Sequence, residues 1–200
     1  MSEHRADPGS GDGNDVPTTS GGGIVFGGRR TNRAEGARSV ADFARDLRRR
    51  WPTGVAVATV RTASGDLRGV AISSLMMLSL DPPLVALALD ESGTFHELLG
   101  DDGIFALSIL DRDQEFLSER FAGRAPVPDT AFGGIPFDPV GGGLPVLRGA
   151  LGWCRCRVTD RSPQGDHILV IASILDGDLG PDTDDPLLSY EGQYRGLEMR

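Results

Sequence analysis

Few residues of this chain offer chemistry beyond packing and charge. His4 stands near the start, and His96 and His167 lie far apart. Cys154 and Cys156 are one residue apart in a segment that reads as a strand, so their side chains share a face. A disulfide between them would be strained, and buried reduced thiols are expected instead. No two of these groups stand at metal-ligand spacing, so no metal centre is expected. There is no G-x-S-x-G elbow, and Asp166, read as a strand neighbour of His167, should point to the opposite face; no nucleophile, base and orienter assemble. All 20 basic residues are arginine, which removes a Schiff-base or P-loop lysine. Ligand binding remains. The stretch Leu67–Val85 is apolar at both ends yet carries Ser73, Ser74 and Ser79, with Gly69 where a backbone could be approached closely. Buried hydroxyls need partners, and a flat polar ligand gripped by amides and small hydroxyls would supply them. Arg120 either balances Glu115 and Glu119 or clamps a phosphate with its planar fork. His167, in Gly165-Asp166-His167 at a turn-to-strand boundary, reads alone as structural or surface-exposed.

These residues need a scaffold of short strands. Residues 1–38 are rich in Gly, Ser, Asp and Thr and read as a disordered extension, with Ile24-Val25-Phe26 a brief apolar island. The cluster GGGIVFGGRR lacks the strand and the Gly-Lys-Ser/Thr of a nucleotide loop. Residues 39–200 read as one domain. Ser39 should cap a helix whose Val40, Phe43, Ala44, Leu47 and Trp51 fall at helical spacing, and Arg48-Arg49-Arg50 reads as its solvated end. Strands are expected over 54–60, in the stretch after the Thr62–Asp66 turn, and over 84–89, 104–110, 151–158, 167–175 and 187–190. Short helices are expected over 95–99 and 113–121, the second with Phe116, Leu117 and Phe121 inward. Residues 125–143 read as a loop and 176–185 as an acidic turn. Strands paired as hairpins without strand–helix alternation point to a mainly β chain, a small antiparallel barrel with a few short helices. A net charge of −9 disfavours nucleic acid and anionic membrane as partners. No run is long and apolar enough to span a membrane and no signal layout is visible, so a cytoplasmic protein is expected.

Six motifs in order resemble the short-chain flavin reductases, the reductase components of two-component flavin monooxygenases. They are Pro52-Thr-Gly-Val55, Gly69-Val-Ala-Ile-Ser-Ser74, Leu78-Ser-Leu-Asp-Pro-Pro-Leu-Val85, Leu117-Ser-Glu-Arg-Phe-Ala122, Gly165-Asp-His167 and Pro186-Leu-Leu-Ser-Tyr-Glu-Gly192. The resemblance spans about residues 43–197. It implies an FMN-binding split β-barrel of Greek-key type, a homodimer with flavin near the subunit boundary. It also implies NADH or NADPH as hydride donor, FMN or FAD as acceptor, and a partner monooxygenase. The flavin-contacting positions fall on Arg68, Gly69, Val70, Ala71, Ser73, Ser74, Ser79, Ala88 and Leu89, with Ala71, Ala88 and Leu89 against the flat ring. Ser92, Thr94, Arg120 and Phe121 match positions further along, toward the phosphate and ring. The nicotinamide side falls on His167, which would orient the dinucleotide and not act as an acid, and on Ser189, Tyr190, Glu191 and Gly192. Many relatives carry a basic residue where this chain has Ser92-Gly93-Thr94 after Asp90-Glu91, so the phosphate end is underbuilt and flavin should bind loosely. A glycine common after the Gly-Asp-His strand is Ala172-Ser173 here. Two other readings are a flavoprotein that retains its flavin for its own substrate, and a non-enzymatic flavin-binding domain.

Overall fold

The computed structural model describes residues 38–101, 103–125, 131–180 and 185–197. The N-terminal extension, with its apolar island and glycine cluster, lies outside the described residues. Helix α1 (Val40–Arg49) starts at the expected cap, where the Asp42 amide donates to Ser39 Oγ at 3.1 Å. Its apolar residues keep helical spacing, yet no residue of the helix is buried.

Residues 47–200 form one compact unit. β1 (Thr53–Gly54) and β2 (Ala56–Arg61) replace the single strand expected over 54–60, and β2 with β3 (Leu67–Ile72) makes the expected hairpin. β4 (Met76–Leu80) and β5 (Pro83–Asp90) form a second hairpin, so the Leu67–Val85 stretch is two strands and a bend before it enters a third. Helix α2 (Phe95–Leu99) and β6 (Ile104–Ile109) follow as expected. A 3-10 turn at Arg112–Gln114 then leads into α3 (Glu115–Phe121) through a capping box between Asp111 and Gln114. Here one expectation is corrected: Phe116 is 58% exposed. The buried stripe runs through Gln114, Leu117, Ser118 and Phe121, and Phe116 falls off it.

The expected loop over 125–143 contains a strand, because β7 (Phe137–Val140) pairs with β8 (Leu144–Leu147). That hairpin is pinned to the sheet by two buried hydroxyls: Thr59 Oγ1 donates to the Pro145 carbonyl at 2.7 Å, and Ser108 Oγ accepts from the Leu147 amide at 3.0 Å. β9 (Gly152–Gln164) and β10 (His167–Leu179) run longer than expected. Asp176 lies in strand and not in an acidic turn, because it pairs with Arg155 across the ladder; residues 181–184 lie outside the described set. β11 (Leu188–Tyr190) and β12 (Gln193–Arg195), the latter unexpected, close a hairpin through Glu191 and Gly192, at φ of 52° and 76°.

Seven strands pair antiparallel in the order β3-β2-β6-β9-β10-β5-β4. Side chains from both ends of that order meet in one core: Ile72 of β3 and Ala58 of β2 cluster with Val85 and Leu87 of β5, around Phe105, Leu107 and Val170. An open flat sheet could not bring these together, so the sheet curls into a barrel. The other face of β2, through Val57, packs with Leu117 and Phe121 of α3 and with Phe132 and Leu147. Burial on both faces explains why β2 is a continuous apolar run.

Candidate functional site

The site is built at the seam where β3 approaches β5. Ala88 lies beyond the last rung between β4 and β5, which is Met76 opposite Ala86. Its outward amide and carbonyl would lack ladder partners there. Ser74, in the bend after β3, supplies both: its hydroxyl donates to the Ala88 carbonyl at 2.6 Å and accepts from the Ala88 amide at 3.2 Å. Ser74 was expected to turn its hydroxyl to a ligand; most of that capacity closes the barrel instead, and one lone pair remains.

Beside this seam opens a cleft of about 510 Å³, lined by Arg48, Ser74, Ala88, Gln164, His167 and Leu169. The β5–β10 register explains the grouping, since Ala88 faces Leu169 and Asp90 faces His167 across the ladder. Alternate residues share a face, so Ala88, Asp90, His167 and Leu169 line one surface. His167 Nδ1 lies 2.6 Å from Asp166 Oδ1. This corrects the expectation that Asp166 points away: Asp166 sits in the Gly165-Asp166 turn, where strand alternation does not apply. The imidazole holds the Asp166 carboxyl below its ordinary range. Asp90 is also held low, first by hydrogen bonds from the Ser92 hydroxyl and amide, then by the charges of His167 and Arg48.

A second, smaller cleft of about 130 Å³ gathers Ala71, Ser73 and Ser189 with Ser118, Arg124 and Tyr194. The Tyr194 hydroxyl donates to Glu119 at 2.8 Å, accepts from Arg124 at 2.6 Å, and lies 2.8 Å from Ser118 Oγ. Arg124 also chelates Glu119, at 2.9 and 2.7 Å. This network ties β12 to α3. Glu119 is held below its usual range by Arg124 and then Tyr194, while burial pushes the Tyr194 phenol up.

The remaining expected residues scatter around these clefts. Leu89 is 4% exposed and belongs to the barrel core, on the face opposite Ala88, so its side chain does not share the surface expected of it. Phe121 is buried against Phe132 and fills the space above Gly69. Val70 packs against the barrel core, and Ser79 lies half-buried opposite Leu84. Arg68 is exposed near Asp66. Ser92 bonds Asp90, and Thr94 precedes α2 without a side-chain cap. Arg120 directs Nη2 to the Gly133 carbonyl at 2.8 Å. Ser189 and His167 line different clefts, and Tyr190 lines neither. Glu191 is clasped by the end of α1, its amide donating to the Arg49 carbonyl at 2.7 Å and its carbonyl accepting from Arg49 Nη2 at 3.1 Å. A Cβ at Gly192 would sit 3.4 Å from the same guanidinium.

Arg48, Gln164, Leu169, Arg124 and Tyr194 were not expected at a site. Leu169 had a usable signal, standing two residues after His167 on a strand. Cys154 and Cys156 are free, with sulfurs 3.6 Å apart, and the neighbouring thiol and burial push Cys156 up. Among the described residues no cluster of three or more His, Cys, Asp or Glu could hold a metal, and no helix is long and apolar enough to cross a membrane.

The family model described as "Flavin reductase like domain" matches residues 48–198. The chain is 35% identical over 150 residues to the NADH-dependent flavin reductase StyB of Pseudomonas fluorescens, covering 74% of this chain and 85% of that protein. It is 34% identical over 148 residues to the reductase component of 4-hydroxyphenylacetate 3-monooxygenase of Thermus thermophilus, covering 74% and 91% respectively. Its fold superposes on BorF, the flavin reductase component of a bacterial two-component tryptophan halogenase, with a TM-score of 0.71 at 30% identity, over 80% of this chain and 99% of that one.

Proposed function

The chain belongs to the flavin reductase-like family, and from that premise we propose that it oxidises NADH and transfers the hydride to FMN or FAD, for delivery to a partner flavin-dependent monooxygenase. The observation that carries this reading is the larger cleft. It brings Ser74 and Ala88, expected on the flavin side, together with His167, expected on the nicotinamide side. Its volume of about 510 Å³ suits a small-molecule site, for which 300–1,000 Å³ is typical. The small Ala88 side chain beside Leu169 leaves a wall against which a flat ring can lie, so these residues fit a flavin.

A bound flavin supplies the ring whose N5 accepts the hydride from nicotinamide C4. The protein's part is positioning. The Asp166 carboxylate holds the His167 proton on Nδ1, which leaves Nε2 to hydrogen-bond the dinucleotide. Ser74 fixes the bend after β3 against Ala88 at the cleft wall. The acids Asp90, Glu91 and Asp166 near this end weaken its hold on phosphates, which favours a flavin that exchanges as a substrate.

The test is NADH consumption by the purified full chain, with and without added FMN, FAD or riboflavin. Oxidation that rises steeply with added flavin is expected. Absence of flavin-dependent oxidation with either NADH or NADPH overturns the reading, and stoichiometric flavin surviving purification overturns the loosely held substrate.

The chain acts, in this reading, as a homodimer. β4 is an edge strand, and its Met76, Met77, Leu78 and Leu80 are exposed. An uncovered apolar edge invites strand pairing or aggregation unless a partner covers it. A second copy is the available partner. Light scattering should give twice the chain mass, and Met77→Asp with Leu80→Asp should give a monomer; a monomeric wild type refutes this.

A further inference from the structure

We propose that Arg48 is a phosphate-binding residue of the larger cleft, engaging a phosphate group of the nucleotide bound there. This rests on the reading of that cleft as the flavin reductase site. Of the six lining residues, Arg48 alone carries a permanent positive charge. Its guanidinium makes no ion pair or hydrogen bond among the described residues, whereas neighbouring Arg49 engages the Glu191 carbonyl at 3.1 Å. That same contact, with the 2.7 Å bond from the Glu191 amide to the Arg49 carbonyl, fixes the last turn of α1 at the cleft. Arg48 therefore projects from an anchored backbone with its planar donor fork uncommitted, the state suited to a bidentate grip on phosphate.

The surroundings make a cation there necessary for an anionic ligand. Asp90 and Asp166 flank His167 on the same surface. Ser92-Gly93-Thr94 contributes no cation, and the Ser92 hydroxyl is bonded to Asp90 at 2.6 Å. Arg120 directs a guanidinium nitrogen to the Gly133 carbonyl. Without Arg48 the nearest charges around His167 would be the two carboxylates of Asp90 and Asp166, which repel a ligand that itself carries negative charge.

The phosphate can belong to the flavin or to the dinucleotide, and the experiment separates these sources. Dissociation constants of the full chain and its Arg48→Ala, Arg48→Lys and Arg50→Ala variants are measured from ligand fluorescence. FMN is compared with riboflavin, and NADH with 1-benzyl-1,4-dihydronicotinamide, which lacks phosphate. Arg50 is the control because its removal changes net charge equally and it does not line the cleft. Arg48→Ala should weaken one phosphate-bearing ligand about tenfold and its phosphate-free counterpart less than about twofold, the scale of one charge-assisted contact. Arg48→Lys should recover part of the loss, and Arg50→Ala should change neither ligand. Selective loss of FMN assigns the flavin phosphate, and selective loss of NADH assigns the dinucleotide. Equal loss for both members of each pair, an equal effect of Arg50→Ala, or no effect overturns the proposal. A wild type without flavin-dependent NADH oxidation instead overturns the reading on which it rests.

Discussion

Gly69→Ala separates two reasons for a glycine at the heart of the serine-bearing stretch. The residue lies on β3 opposite Thr59. A Cβ at that position would lie 2.7 Å from Phe121 Cε1 and 2.8 Å from Cδ1. Carbon atoms rest about 3.5–4.0 Å apart, so the ring or the strand must yield by about 1 Å. The ring has little room to yield. Phe121 is 6% exposed, its centroid lies 5.1 Å from that of Phe132, and Phe132 in turn abuts Phe137 at 5.5 Å. Overpacking of a closed core costs roughly 1–3 kcal/mol. For a unit of this size that lowers Tm by about 2–12 °C. Thermal and denaturant unfolding of Gly69→Ala, Phe121→Leu and the double variant measure it. The glycine substitution should be much less harmful once the ring is gone, with a coupling of about 1 kcal/mol or more between the two sites. A Gly69→Ala variant with wild-type stability and weakened flavin binding would refute this, and would show that the missing side chain makes room for ligand and not for Phe121.

Other perturbations reach the site from different sides. Ser74→Ala removes both partners of the Ala88 amide and carbonyl. At roughly 0.5–1.5 kcal/mol per bond it should destabilise by about 1–3 kcal/mol in denaturant titrations, and an unchanged midpoint would count against the seam. Asp166→Asn frees the His167 tautomer, and because Asp166 is exposed the effect is modest. KM for NADH should rise up to about fivefold, equivalent to about 1 kcal/mol, with flavin affinity unchanged; a shift in flavin affinity alone contradicts the assigned side. Glu119→Gln tests the network that joins β12 to α3. The Glu119 carboxyl is held below its usual value in the folded chain, so folding favours its ionised form. The stability it adds is present above the ordinary glutamate range and is lost as pH falls through the lowered folded value. The stability gap between wild type and Glu119→Gln should therefore be widest near neutrality and close in acid, and a gap independent of pH would rule out this contribution.

Most strands buried on one or two faces were legible as sequence, and the rest were hidden for physical reasons. β2 and β5 show as apolar runs because water is excluded from most of their length. β4 carries no such pattern, since four of its five residues are exposed and neither face sets an alternation. The β7–β8 ribbon pairs Pro139 with Pro145; Pro139 falls in the Pro- and Gly-rich segment that reads as loop, and Leu144–Leu147 carries no strand expectation, although the ribbon forms outside the main sheet. At the site, the surplus of serines did signal a polar demand. It could not reveal that the demand behind Ser74 came from the protein's own strand edge. The arginines at the end of α1 make the same point more sharply. Arg48 and Arg49 are chemically identical neighbours, and as sequence both belong to one solvated helix end. Successive residues of a helix point about 100° apart, so the two guanidiniums leave the same turn in different directions. One reaches the Glu191 carbonyl and anchors the turn, and the other enters the cleft beside His167. What separates an anchoring cation from a ligand-binding one is therefore the strand pairing that brings the β11–β12 turn and the β5–β10 surface to either side of one helix turn. The hydrogen bond that results joins Arg49 to Glu191, 142 positions away in the chain, and no local pattern around Arg48 encodes it.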